Sequence, residues 1–312
     1  RFTKSAKDFL DTWFENDHIK ACFGFDSIVG NYASPETPGS AYVLLHHVFG
    51  EIDGEKGAWG HAVGGMGSIT QLMKDICEKK GVEISTNAAV EKVLIKNNKA
   101  IGVMLKDGSE VFADKVISNL NPKLLFKKLV DRDEVNQEYR RKILNYKCGS
   151  GTFRMNVALS ELPDFNCLRG KEVSEHHKSG IIIAPSLTYM DQAFTDAKQY
   201  GWSKNPIVEM LIPSTVDSSL APEGKHVASL FCQQFAPTFP DNRSWHDEKY
   251  SAADTIIETV NRFAPNFKDS ILGMSMLSPL DLEEKLGLLG GDIMHGVTVS
   301  YTHLTLPTNR EV

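Results

Sequence analysis

No stretch of this 312-residue sequence reaches the ~20 consecutive apolar residues that a membrane-spanning helix needs. A basic stripe is lacking too. With 34 Lys and Arg against 40 Asp and Glu the formal charge is −6, which removes the electrostatic footprint of a nucleic-acid partner. Cysteine is scarce and scattered: Cys22, Cys77, Cys148, Cys167 and Cys232 are odd in number, and no two form a C-x-x-C. Such thiols read as reduced core residues of an intracellular protein, cytoplasmic or, in a eukaryote, of the mitochondrial matrix. They give no disulfide frame and no metal site. The first residue is Arg1, not Met, and no signal-like segment follows, so the natural start is expected upstream.

What is present is ordinary in bulk and specific in pattern. Apolar content of 41% and charged content of 24% suit a globular protein, long enough for one large domain or two interleaved ones. The informative stretch is 57–122. Gly64, Gly65 and Gly67 form a glycine-rich turn, where missing β-carbons permit positive φ and close backbone approach. From Ser68 the apolar residues Ile69, Leu72, Met73 and Ile76 recur at helical spacing, and Gly81 stops the run. Residues 82–85 then read as a short strand. Residues 90–96, 100–106 and 110–113 read as a small antiparallel meander, turning at Asn97-Asn98 and Asp107-Gly108. Residues 115–118 read as a returning strand before Asn121-Pro122 opens a helix. That order is half of a nucleotide-binding α/β domain with an inserted hairpin.

Within it, GGMGSITQLMKDICEKKGVEISTNAAVEKVLIKNNKAIGVMLKDGSEVFADKVISNLNP resembles the flavoprotein amine-oxidase and phytoene-desaturase superfamily, on its phytoene-dehydrogenase-like side. Further segments carry the likeness in order: SPETPGSAYVLLHHVFG from Ser34, GAWGHAVGGMG from Gly57, NPIVEMLIPSTVDSSLAPEGKHVASLF from Asn205, FAPNFKDSI from Phe263 and GLLGGDIMHG from Gly287. The resemblance implies a fold of α/β plus α+β class: a partial FAD-binding Rossmann-like domain interleaved with a substrate domain of mixed sheet and helical cap. It divides the chain into a cap over 1–56, the partial FAD-binding domain over 57–122, the substrate domain over 123–286 and a return toward the FAD domain over 287–298. The superfamily's G-x-G-x-x-G turn, which receives the pyrophosphate on backbone amides, is absent from the sequence. GGMG is no substitute, lacking the spacing and the acidic ribose partner expected ~20 residues on. FAD is thus the cofactor expected of the intact parent, with that turn expected outside this chain.

His46 and His47 sit on an apolar helix predicted over 40–49. Adjacent helical positions point about 100° apart, so only one is expected to face any given cavity. No second ligand stands at i+4, and no metal site is expected. Each histidine reads either as a structural group hydrogen-bonded inside the cap or as a polar orienter or proton acceptor. The resemblance makes His46, His47 and His295 the candidate acid–base residues. It places Trp59 and His61 beside the flavin as pocket residues and lets Gly64, Gly65 and Gly67 pass close to it. By the same resemblance Val90 meets the adenine end of FAD, and Asn119 ends its strand near the cofactor. Trp59 reads equally as a buried anchor, and His295 as a turn histidine capping its own loop.

Amphipathic helices with an aromatic face are predicted over 5–16 and 17–28, carrying Phe9, Trp13, Phe14, Phe23 and Phe25. Strands are predicted at 153–159, 180–184, 207–212 and 226–235, and helices at 124–130, 134–147, 187–199, 252–263 and 279–286. His176-His177 falls in a charged loop expected to be solvated. The resemblance implies an FAD-dependent dehydrogenase or desaturase that passes hydride from a small apolar, isoprenoid or lipid-like substrate to flavin, with peripheral membrane contact for substrate access. Amine oxidation is one alternative, and a non-catalytic flavin-fold protein for interaction or lipid binding is another. VSYTHLTLPT from Val299 reads as a translated sequencing adapter, so 299–312 is expected to be a non-native tail, an edge strand being the alternative.

Overall fold

The computed structural model describes residues 3–47 and 49–296; the tail predicted over 299–312 lies outside the described residues. The backbone forms two compact units, one of Arg1–Ser68 with Cys148–Val312 and the other of Ile69–Lys147.

The first unit opens with short helices. Ser5 caps α1 (Ala6–Leu10) by accepting the Asp8 amide, and Asn16 caps α2 (Asp17–Phe25) by accepting the amides of His18 and Ile19. The helix predicted over 5–16 stops early. Thr12 Oγ1 donates to the Phe9 carbonyl at 2.6 Å, competing with the helical ladder, and the cap at Asn16 restarts the chain. α3 (Ser40–His46) starts after a left-handed Gly39. β1 (Glu51–Ile52) and β2 (Glu55–Lys56) make a hairpin around Asp53-Gly54, both at positive φ, which the hydrophobic periodicity does not reveal. α4 (Gly67–Lys79) follows and from Ile69 onward belongs to the second unit, its predicted apolar stripe of Ile69, Leu72, Met73 and Ile76 exposed throughout.

In the second unit β3 (Val90–Lys96), β4 (Lys99–Leu105) and β5 (Glu110–Phe112) form the expected antiparallel meander. α5 (Pro122–Leu124) is capped by Asn121 and passes into a π-helical turn at Leu125–Leu129. α6 (Gln137–Leu144) begins later than predicted because Asn136 accepts the amides of Glu138 and Tyr139. Residues 82–85 and 115–118, predicted as strands, are irregular. A strand exists only with a ladder partner for its N–H and C=O groups, and none of the described residues supplies one. Val82, Ile84 and Ile117 stay exposed accordingly.

The chain then completes the first unit with β6 (Phe153–Leu159), α7 (Glu175–Lys178), β7 (Ile181–Ile183), α8 (Leu187–Tyr200), β8 (Trp202–Leu211), β9 (His226–Phe235), α9 (Trp245–Phe263), α10 (Phe267–Ser270), β10 (Ile271–Leu277) and α11 (Pro279–Leu286). Five of these strands make one sheet in the order β10-β6-β9-β8-β7. Every pairing in it is antiparallel, so the mixed sheet expected from the sequence is replaced by a wholly antiparallel one. β10 escapes prediction because it lies at the edge, mostly exposed and without the alternation that marks a half-buried strand.

Alternation in β6 sends Phe153, Met155, Val157 and Leu159 to one face, where with Leu230, Cys232, Val208 and Met210 they pack on Ala252, Ala253, Ile256 and Val260 of α9. A second core joins the cap to this unit: Leu10, Phe25, Ile28 and Leu44 meet Leu187, Met190 and Ile207. Buried Gln233 fastens the cap loop, donating to the Ile28 carbonyl at 2.6 Å and accepting the Gly30 amide at 3.3 Å. His176 and His177 are not solvated as expected. Ser174 caps their single helical turn, His177 is fully buried with Nε2 at 3.0 Å from the Pro163 carbonyl oxygen, and Phe165 covers both rings.

Candidate functional site

The predicted glycine turn is held from a distance. Gly64 and Gly65 lie at φ +84° and +86°, a conformation that favours glycine. The Asp217 carboxylate accepts the Gly64 amide at 2.8 Å and the Ser219 amide and hydroxyl at 3.0 and 2.6 Å. His61 Nε2 stands 3.7 Å from the same carboxylate, so His61 and Gly64 share one anchor. The Ser219 hydroxyl, with the Gly64 and Ser219 amides, holds the Asp217 carboxyl below the usual carboxylate range. Asp217 itself is buried. Gly67 has ordinary φ and starts α4. Trp59 is 83% exposed, which excludes the buried-anchor reading.

His46 and His47 converge. Their Nδ1 atoms lie 2.9 and 2.8 Å from the same Val43 carbonyl oxygen, and their ring centroids are 4.3 Å apart. The rings lie side by side although adjacent helical positions point about 100° apart, because α3 ends at His46. His47 is its C-cap, and both rings turn back to a carbonyl of the final turn. Asp26, half-buried near both histidines, has its carboxyl pushed up by burial against their opposing charge. His295 is exposed on a turn at φ +59°. Its segment is fastened elsewhere: Asp292 accepts the Gly149 amide at 2.7 Å, and Ser150 Oγ donates to the Gly291 carbonyl at 2.7 Å. Val90 opens β3 opposite Leu105, and Asn119 is exposed on irregular backbone. Both belong to the other unit.

The sheet has a second face that the sequence did not expose as a site, exposed at its edges but with Phe231 buried and Arg154 and Glu209 only partly exposed. Across the register, one row is Leu277, Arg154, Phe231, Glu209 and Ile182; the next is Ser275, Asn156, Ser229 and Leu211. Arg154 Nη2 donates to Ser229 Oγ at 3.0 Å, and its guanidinium lies 5.2 Å from the Phe231 ring centroid. Burial pushes the Glu209 carboxyl up, with Arg154 opposing. Arg154, Glu209, Asn156, Ser229 and Ser275 lie on the same face as exposed Ile182 and Leu211, which makes it amphipathic.

The glycine turn is open on its outer side. A Cβ built on Gly64 would meet only Ser68 Cβ at 3.8 Å, and one on Gly65 only Leu220 Cδ2 at 3.6 Å, so bare backbone is presented there. Among the described residues no group of His, Cys, Asp and Glu could hold a metal ion, and no helix is long and apolar enough to cross a membrane.

Residues 4–153 match the family described as flavin containing amine oxidoreductase. The chain is 36% identical over 293 residues to pyridine nucleotide-disulfide oxidoreductase domain-containing protein 2 of Rattus norvegicus, covering 92% of this chain and 50% of that protein. It is 25% identical over 290 residues to the lycopene-forming phytoene desaturase of Pseudescherichia vulneris, covering 91% and 54%. The chain thus spans about half the length of these curated relatives. The fold is that of an oxidoreductase from Methanosarcina mazei, with a TM-score of 0.58 at 18% identity over 88% of this chain and 56% of that one. The cofactor of the family is a flavin, in agreement with the FAD expected from the sequence. Over residues 4–153 the chain thus matches the flavin containing amine oxidoreductase family, and along most of its length it is similar to a pyridine nucleotide-disulfide oxidoreductase domain-containing protein and to a phytoene desaturase.

Proposed function

We propose that the chain is the substrate-side and ring-side portion of an FAD-dependent oxidoreductase acting on an apolar, isoprenoid or lipid-like substrate. The observation that carries this reading is the Gly64-Gly65 turn, bare on its outer side and fixed by Asp217. When bound, the flavin supplies the two-electron chemistry that takes hydrogen from a substrate C–H bond. The chain's own residues provide position. Asp217 keeps the turn in its left-handed conformation, Trp59 and His61 stand beside it as pocket residues, and Gly64, Gly65 and Gly67 admit close approach. Val90 and Asn119, on the second unit, are separate candidate cofactor contacts by the family likeness. His46 and His47 hold protons at ring nitrogens turned toward one carbonyl, which leaves their Nε2 atoms to exchange a proton with substrate or water. His295 is a third candidate. Access to a lipid-like substrate would run through peripheral membrane contact.

Anaerobic titration of the flavin-loaded protein tests the reading. Bleaching of the flavin by apolar polyenes or lipids, and not by primary amines, is the expected result. Bleaching by amines alone would replace it with amine oxidation. A bound flavin that no substrate reduces would favour a non-catalytic binding protein.

A further inference from the structure

The second face of the sheet carries a charge to which the flavin chemistry assigns no role. Arg154 projects from β6 and is largely withdrawn from solvent. Its partners, the Ser229 hydroxyl at 3.0 Å and the Phe231 ring at 5.2 Å, are both neutral. It makes no ion pair among the described residues. The carboxylate in its own row, Glu209, sits two strands away, about 10 Å between backbones at the usual strand spacing. Glu209 still feels the Arg154 charge, which opposes the rise that burial gives its carboxyl, but the two form no ion pair among the described residues. A guanidinium held out of water without an anion is costly, whereas its charge-assisted bonds to a carboxylate or phosphate are among the strongest available. Nη2 uses one donor on Ser229, and further N–H donors of the fork remain. Leu277 and Phe231 flank Arg154 in its row, with Ile182 and Leu211 on the same face.

We propose that Arg154 anchors an anionic head group, carboxylate or phosphate, of an otherwise apolar substrate laid along this face. The inference rests on the apolar-substrate reading above and narrows it to an acidic amphipath. Ser229 and Phe231 are positioning residues: one fixes a guanidinium edge and the other supports its plane. Nothing in the sequence alone marks the residue, because its setting is assembled from three strands.

Calorimetric titration of the full chain with decanoate, decyl phosphate, decanol and decylamine tests the assignment, since these probes share one tail and differ in the head. Decanoate or decyl phosphate is expected to bind at least about tenfold tighter than decanol. Whichever of the two binds better identifies the head group. Arg154→Met is expected to remove the anion preference while leaving decanol binding unchanged, and Arg154→Lys to retain part of it. Thermal midpoints report whether each variant is folded; should Arg154→Met fail to fold, Arg154→Lys carries the comparison. Equal affinity for decanoate and decanol, preference for decylamine, binding of none of the probes, or an anion preference that survives Arg154→Met would each overturn the anchor. Because the readout is binding without turnover, it is separate from the flavin titration. Flavin reduced by a neutral lipid with no anion preference would sink this inference and leave the oxidoreductase reading standing.

Discussion

Asp217 and Gly64 are 153 residues apart in the chain and joined by a 2.8 Å hydrogen bond from the glycine amide to the carboxylate. Asp217→Ala removes the acceptor of the Gly64 and Ser219 amides together. Faster amide hydrogen exchange at Gly64 and Ser219 is expected, with little change in the sheet. Unchanged protection at Gly64 would mean that the turn holds itself.

The glycines divide by what surrounds them. Gly291 lies at φ +65°, and a Cβ there would stand 2.6 Å from the Pro279 Cα, which is backbone and cannot swing aside. Gly291→Ala should cost about 2–5 kcal/mol from backbone strain and overpacking combined. Gly67 has ordinary φ and nothing within 4 Å of a built Cβ, so Gly67→Ala should be neutral or stabilising by up to ~1 kcal/mol. Chemical denaturation of the two variants checks the contrast.

How much of this could be read in advance depended on how local the cause was. β3 and β9 carry their own alternation, and α11 carries its own capping box at Ser278 and Asp281, so their limits were legible within a residue or two. The Asp217 clamp was not, because one sequence holds no record of which distant carboxylate meets which turn. The row through Arg154, Phe231 and Glu209 exists only through strand register. Residues 115–118 have strand composition yet lack a ladder partner among the described residues, and composition cannot reveal that. The convergence of His46 and His47 follows from where α3 stops, and helix ends are the least legible feature of a pattern.

Acid should weaken the first unit through Asp281. Burial alone would raise its carboxyl, but the Lys285 ammonium, the Ser278 amide, the Lys249 ammonium and the Ser278 hydroxyl outweigh that and hold it well below the usual range. A depressed folded-state pKa means that the contribution is whole above the unfolded value near ~3.9 and is lost as pH falls below it. Asp281→Asn should therefore cost about 1.5–3 kcal/mol at neutral pH, with the gap to the wild type narrowing in acid. Urea melts of both proteins from neutral pH downward measure it; a gap independent of pH would contradict the charge argument.

Thiol labelling should follow burial. Cys22 and Cys167 are exposed, while Cys232 is fully buried in the sheet core, where burial pushes its thiol up and leaves it protonated. Iodoacetamide under native conditions is expected to modify the first two and to reach Cys232 only after denaturation, as read by peptide mass spectrometry. Native labelling of Cys232 would show that α9 does not stay on the sheet.

The most direct test is the flavin content of the protein expressed from its complete source gene. The account predicts about one FAD per chain, with Gly64→Val retaining far less flavin than Gly64→Ala, which shares the backbone strain at this left-handed position but adds less bulk. A folded protein that takes up no flavin when refolded with excess FAD, or a Gly64→Val variant that keeps its full complement, would contradict it.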